Sequence, residues 1–409
     1  MGGTELASRA AVRAAAIGAA GLVAWLAAGS PIRAAGSPPA PPDEPGGPAR
    51  ERAARRADEP PVGAAREFRT DFSRHTVPYD QILSGGPPKD GIPAIDRPRF
   101  IDVAEADGWL QPMEPVILLE IGGDARGYPL QVVTWHEIVN DTVGGVPVSV
   151  TFCPLCNTAI AFERTVEGRR LDFGTTGRLR YSNLIMYDRQ TESWWQQATG
   201  EAIAGALAGK RLVSRPAPIV AWRDFKARHP GGRALSRRTG HVRSYGRNPY
   251  VGYDDVRGSP FLYDGPSTPG RLAPMARVLT VEIDGEAVAY PYEILRESRV
   301  VNDTVAGEEI VVLWTPGTAS ALDAASVAGG RDVGTAIAYL RTVGDRTLTF
   351  ARDGGRLIDR ETLSEWSASG RAIAGEMAGR ALTPAVAINH FWFSWAAFRP
   401  STRVYRSDQ

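Results

Sequence analysis

The chain repeats itself, and that repeat constrains its fold more than any other feature. The stretch "PVILLEIGGDARGYPLQVVTWHEIVNDTVGGVPVSVTFCPLCNTA", beginning at Pro115, returns as "RVLTVEIDGEAVAYPYEILRESRVVNDTVAGEEIVVLWTPGTA", beginning at Arg277. Asn140 matches Asn302, an offset of 302 − 140 = 162 residues. The same offset aligns Gly123 with Gly285, Tyr128-Pro129 with Tyr290-Pro291, all of "NDTV", and Pro154 with Pro316. Further on, "YDRQTESWWQQATGEAIAG" from Tyr187 echoes "IDRETLSEWSASGRAIAG" from Ile358, and "APIVAWRDFKARHP" echoes "AINHFWFSWAAFRP". So many ordered matches mark two tandem copies of one module.

Within a copy the signals are mostly β. "PVILLEI" and "RVLTVEI" are apolar runs that end in the turn signals "GGD" and "DGE", and "VPVSVTF" and "EEIVVLW" read as buried strands. "LQVVTWHEIVND" and "YEILRESRVVND" carry apolar residues at helical spacing and predict a short helix between strands. "FKARHPGG" reads as a helix end. The fold class expected is α+β: a β-rich chain of two tandem modules, with short antiparallel strands and a few short helices. Its 44 glycines and 31 prolines favour many turns over a helical bundle.

The start of the chain has a different character. Arg9 and Arg13 lead into an uncharged run from Ala14 to Ile32, followed by "RAAG". That order is the pattern of a secretory signal, expected at 1–35, with a retained anchor as the alternative and the only expected tie to a membrane. Residues 36–66, rich in Pro, Ala and Arg, read as a disordered linker. The first module is then expected at 67–270 and the second at 271–409. An exported protein, periplasmic or extracellular, follows. With 47 basic against 46 acidic residues there is no net field to draw nucleic acid.

The two copies can be read against each other. At the 162-residue offset, Cys153 meets Thr315, Cys156 meets Thr318 and His136 meets Ser298. Three soft or titratable groups are thus present together in one copy and absent together from the other, which points to one site that uses all three. The first copy also carries about six extra residues around Arg178–Asn183, a candidate pocket wall with Arg178, Tyr181 and Asn183. Trp135, private to this copy, and Tyr187 are further candidates for the pocket.

A Cys-x-x-C pair can hold one ion or bond to itself. In the favoured reading, Cys153, Cys156 and His136 bind a soft or borderline metal, copper or zinc, with Met186 as a thioether donor that suits copper. In the second, the pair cycles between dithiol and disulfide. In the third, it is a static disulfide in a non-catalytic cell-envelope binding module, a weak staple because the closed loop is so short. Asn157 in place of His after Cys156 argues against a c-type haem, and no nucleotide motif is present. The substrate, a small molecule or a metal ion, is not identified by any motif. His75, His229, His241 and His390 read as structural, and Asp141 and Asp188, which recur as Asp303 and Asp359, as turn carboxylates.

"RGYPLQVVTWHEIVNDTVGGVPVSVTFCPLCNTAIAFER" and "SNLIMYDRQTESWWQQATGEAI" resemble the bacterial domain-of-unknown-function family 3179 over roughly residues 95–265. The second copy looks like a degenerate continuation of that resemblance. The family implies export and a Cys-Pro-Leu-Cys hallmark, and implies no particular activity. Glycine is usual there after the second cysteine, where this chain has Asn157.

Overall fold

The computed structural model describes residues 56–267 and 270–407. The expected signal segment, and the linker up to residue 55, lie outside the described residues. The last residues of the expected linker are ordered: Ala64–Glu67 form a short helix with Ala64 fully buried.

The turn signals act as read. Pro115–Ile121 pairs with Asp124–Pro129 across Gly122-Gly123, whose φ angles are 57° and 82°. Ile138–Val143 pairs with Val146–Cys153 across Gly144-Gly145 (53° and 81°). The second half repeats both hairpins, across Asp284-Gly285 (46° and 85°) and Ala306-Gly307 (51° and 83°). Two successive left-handed residues turn the chain with the twist that antiparallel strands need.

Among the described residues each half has three sheets of four or five strands and one two-stranded ribbon, Thr165–Val166 with Arg169–Arg170 and Thr342–Val343 with Arg346–Thr347, and the hairpins lie in two of the larger sheets. In the first half, the orders are Ile219–Ala221, Pro115–Ile121, Asp124–Pro129, Arg233–Leu235, Phe100–Asp102; then Val213–Arg215, Thr158–Glu163, Val146–Cys153, Ile138–Val143; then Ile82–Ser84, Phe173–Arg180, Asn183–Asp188, Trp194–Gln196, Glu201–Ala204. The second half follows the same orders: Ala387–Phe391, Arg277–Ile283, Glu286–Pro291, Arg403–Val404; then Thr383–Pro384, Thr335–Leu340, Glu308–Thr315, Val300–Val305; then Phe350–Asp353, Arg356–Asp359, Glu365–Trp366, Ala372–Ala374. Pairing between these strands is antiparallel except where Arg233–Leu235 meets Asp124–Pro129 and Arg403–Val404 meets Glu286–Pro291, which are parallel; on its other side Arg233–Leu235 pairs antiparallel with Phe100–Asp102.

Buried polar clamps recur with the strands. Asn140 holds both the N–H and the carbonyl of Phe173, as Asn302 does those of Phe350. Tyr128 donates to Asp141 and Tyr290 to Asp303, while Trp195 donates to Asp188 and Trp366 to Asp359. Each clamp satisfies groups that would otherwise be buried unpaired, at a cost of about 1–3 kcal/mol apiece.

The expected helix between strands is only half right. Leu130–Val133 and Tyr292–Ser298 are helical, but Ile138–Val143 and Val300–Val305 are strands. Glu137 and Arg299, in the left-handed region at φ 59° and 63°, end the helical path at the same point in each half. The expected helix end in "FKARHPGG" is the close of Trp222–Arg228. Among the described residues no helix is long and apolar enough to cross a membrane.

Candidate functional site

Cys153 closes the strand Val146–Cys153, and Pro154–Cys156 form one 3-10 turn with proline at its start, where a missing N–H is harmless. Asn157 ends the turn in the left-handed region (φ 50°, ψ 40°), and Thr158 then pairs back with Cys153. Glycine takes that conformation freely and asparagine is among the few side chains that tolerate it, so Asn157 can end the turn there.

Both cysteines are free thiols, buried, and aimed at one acceptor. The Ser182 carbonyl oxygen lies 3.8 Å from the Cys153 sulfur and 3.4 Å from the Cys156 sulfur. Burial, and next the adjoining Cys156 thiol, push the Cys153 thiol well above its ordinary range. The backbone N–H groups of Leu184 and Cys156 act the other way, since both favour a thiolate on Cys153. Burial thus favours the neutral Cys153 thiol, with two N–H groups around its sulfur that favour the anion.

Ser182 reaches the sulfurs because its hairpin is long. Phe173–Arg180 and Asn183–Asp188 are joined by Tyr181-Ser182, whose φ angles are 54° and 65°. Neither residue is glycine, so the turn stores strain on the order of 1–3 kcal/mol per residue. The shorter hairpin of the second half turns instead on Gly354-Gly355 (53° and 90°). The extra residues around Arg178–Asn183 are thus the extension that carries Ser182 over the cysteines. A buried amide network fixes this tip: Asn183 donates to Gln197 (2.9 Å), Gln197 to Thr151 (3.0 Å), and Gln196 to Asn183 (2.6 Å). The second half has Ser367 and Ala368 where the first has the two glutamines.

Glu137 is the site residue that the sequence reading missed. It is buried, and its carbonyl accepts from Phe152 N–H at 2.8 Å. Its carboxyl group makes no hydrogen bond among the described residues. Burial, and behind it the charge of an ionised Cys153, push this carboxyl well above the usual range. The signal was available, because the 162-residue offset pairs Glu137 with Arg299, a reversal of charge.

Residues 236–276 join the halves, and their described residues, which form no helix or strand, cover the site. The Tyr253 hydroxyl donates to the Leu155 carbonyl (3.0 Å) inside the Cys-x-x-Cys turn and accepts from Phe261 N–H (3.1 Å). Tyr250 and Tyr253 lie within electrostatic reach of Cys153, and burial raises both phenols. Ser182 Oγ donates to the Phe261 carbonyl, tying the strap to the hairpin tip.

His136 does not join the sulfurs. Its Nδ1 faces the Pro93 carbonyl at 2.7 Å, so that nitrogen carries the proton, and Nε2 then accepts from the Tyr245 hydroxyl at 2.7 Å. Burial, with Arg243 and His241 nearby, lowers its pKa to about 4. Among the described residues no three His, Cys, Asp or Glu side chains converge as a metal-ligand set. The residues present therefore do not fit the three-ligand copper or zinc site expected of Cys153, Cys156 and His136. Met186 is buried in the same core as the cysteines, opposite Thr175 and Trp195.

The remaining pocket candidates mostly serve other contacts. Arg178 pairs with Glu67 (2.9 Å) and the Val62 carbonyl, and Tyr187 donates to Asp90 beneath Phe68. Both belong to the seam with the N-terminal segment. Trp135 donates to the Arg247 carbonyl in the strap (3.3 Å), and Tyr181 packs by Tyr263 and Phe398. Asn183 alone of these sits in the network behind the sulfurs.

The family model described as "Protein of unknown function (DUF3179)" matches residues 89–402, and the chain belongs to that family. The match extends the resemblance over 95–265 through the second half, which is part of the family pattern. No curated protein and no solved structure matches the chain.

Proposed function

We propose that Cys153 and Cys156 form a dithiol–disulfide couple that reduces an external disulfide, in an exported protein. One observation carries the reading: two free, buried thiols on one turn converge on the Ser182 carbonyl, with the unpartnered acid Glu137 in electrostatic reach. In its ionised form Glu137 takes the Cys153 proton and later passes it to the leaving thiol, and the Cys153 thiolate attacks one sulfur of the incoming disulfide. The substrate S–S bond breaks, the first thiol leaves, and Cys153 is held in a mixed disulfide. Cys156, losing its own proton, attacks the Cys153 sulfur and releases the second thiol. Two electrons and two protons pass from the dithiol to the substrate. Because both sulfurs are buried, the strap at 236–276 has to open for each turnover.

A copper or zinc centre ranks below this, because both nitrogens of His136 are already engaged. Export rests on the basic and apolar run at the start of the chain. We read the two halves as copies of one module; the shared offset, sheet orders and buried clamps support this, with chemistry kept in the first copy.

A trapping experiment tests the couple. Cys156→Ser, incubated with oxidised glutathione, accumulates one glutathione adduct on Cys153, whereas wild type resolves it and releases reduced glutathione. An absence of adduct on Cys156→Ser, with wild type also inert, rejects the reading.

A further inference from the structure

We propose that the second half carries a binding site for a small, flat carboxylate, in the place where the first half keeps its cysteines. A cleft of about 220 Å³ opens there, lined by Arg299, Arg352, Arg356, Trp314, Glu365 and Trp366. That size is below the roughly 300–1,000 Å³ typical of drug-sized ligands and suits a smaller molecule.

The equivalence of place is concrete. Arg299 sits at the left-handed corner that Glu137 takes in the first half, and its carbonyl accepts from Trp314 N–H (2.9 Å) as that of Glu137 does from Phe152. Thr315, also in the cleft wall, stands at the position of Cys153. The first half plugs this volume with the long hairpin and Gln197. The second half has a hairpin turning early on Gly354-Gly355 and Ala368 where the glutamine would be. The site therefore stays open.

Its chemistry selects an anion. Three arginines and one carboxylate, Glu365, line the cleft, and the Arg352 guanidinium donates to the Gly355 carbonyl at its edge. Arg356 is paired with Asp353 (3.0 Å), but neither Arg299 nor Arg352 has an ion pair among the described residues. The Arg299 guanidinium lies over the Trp314 ring, 4.3 Å from its centroid, and Trp366 supplies a second aromatic wall. Arginine forks match a carboxylate bidentately, and flat aromatic walls favour a planar body.

Calorimetric titration of the full chain with benzoate tests this, with inorganic phosphate and benzylamine as comparators. Saturable binding of benzoate, tighter than either comparator, is expected. Losing a charge-assisted pair weakens an anion by about tenfold or more, so Arg299→Gln and, separately, the exposed Arg352→Gln are each expected to do so. Alkylation of Cys153 and Cys156 stays at the wild-type rate in both variants. Benzoate binding no tighter than benzylamine, or unmoved by both substitutions, overturns the proposal. Phosphate binding tighter than benzoate overturns its claim to a flat carboxylate.

Discussion

The Ser182 carbonyl oxygen and the Cys156 sulfur lie 3.4 Å apart, at the tip of a hairpin that turns without glycine. A carbonyl accepts from a thiol and repels a thiolate, so this contact suits the thiol form. It also marks what must move when a thiolate forms. The strain of the Tyr181-Ser182 turn, the amide network behind it and the bond from Ser182 to Phe261 in the strap make that movement a property of the whole cover.

Glu137 gives the first prediction. Its folded-state pKa is raised, so its stabilising contribution is complete below the ordinary value of 4.5 and is lost as pH rises through the raised one. Glu137→Gln is expected to be relatively more stable than wild type at pH 8, on the order of 1 kcal/mol, and to match it near pH 4. It is also expected to slow alkylation of Cys153. Melting curves and iodoacetamide kinetics across pH 4–9 read both effects, and equal pH slopes in the two proteins would exclude this role.

His136 behaves oppositely. Its pKa is depressed to about 4 from 6.5, so the stability it supports is present above 6.5 and lost as pH falls through 4. Protonation at Nε2 removes the acceptor for the Tyr245 hydroxyl. Replacement by asparagine is expected to flatten the acid side of the melting profile between pH 6.5 and 4, with little change in thiol reactivity at pH 7. A loss of reactivity comparable to that of Glu137→Gln would place the imidazole in the site.

The strap supplies a third. Asp254 is fully buried and bonds Arg277 (2.7 Å), Arg331 (2.8 Å) and Ser320, pinning residues 236–276 to the second half. Breaking a buried pair of this kind costs about 3–5 kcal/mol. With Asp254→Asn, faster alkylation of both cysteines is expected, at a lower melting temperature. Unchanged alkylation in a folded, destabilised variant would show that the strap does not control access.

How much of this could be read from the chain varies with the physics involved. The hairpins and the singular character of the cysteines followed from local turn chemistry and from one alignment offset. The insertion was visible for the same reason, but its partner was not. Nothing local says that a hairpin tip will meet a turn 26 residues away, or that Arg178 will pair with Glu67 across the chain. Tyr250 and Tyr253 lie in the strap, which has no second copy to be compared with. The strands at Ile138–Val143 and Val300–Val305 were read as helix because the deciding event is a single left-handed residue, Glu137 or Arg299. His136 drew attention as a ligand type, whereas its backbone and tyrosine partners make it structural.

Equilibration with graded ratios of reduced to oxidised glutathione, followed by alkylation and mass spectrometry, tests the central claim most directly. The couple predicts that Cys153 and Cys156 pass together and reversibly between two alkylated thiols and one intramolecular disulfide, following a two-electron curve. Two thiols that stay free and alkylatable at every ratio, in protein opened by Asp254→Asn, would contradict it.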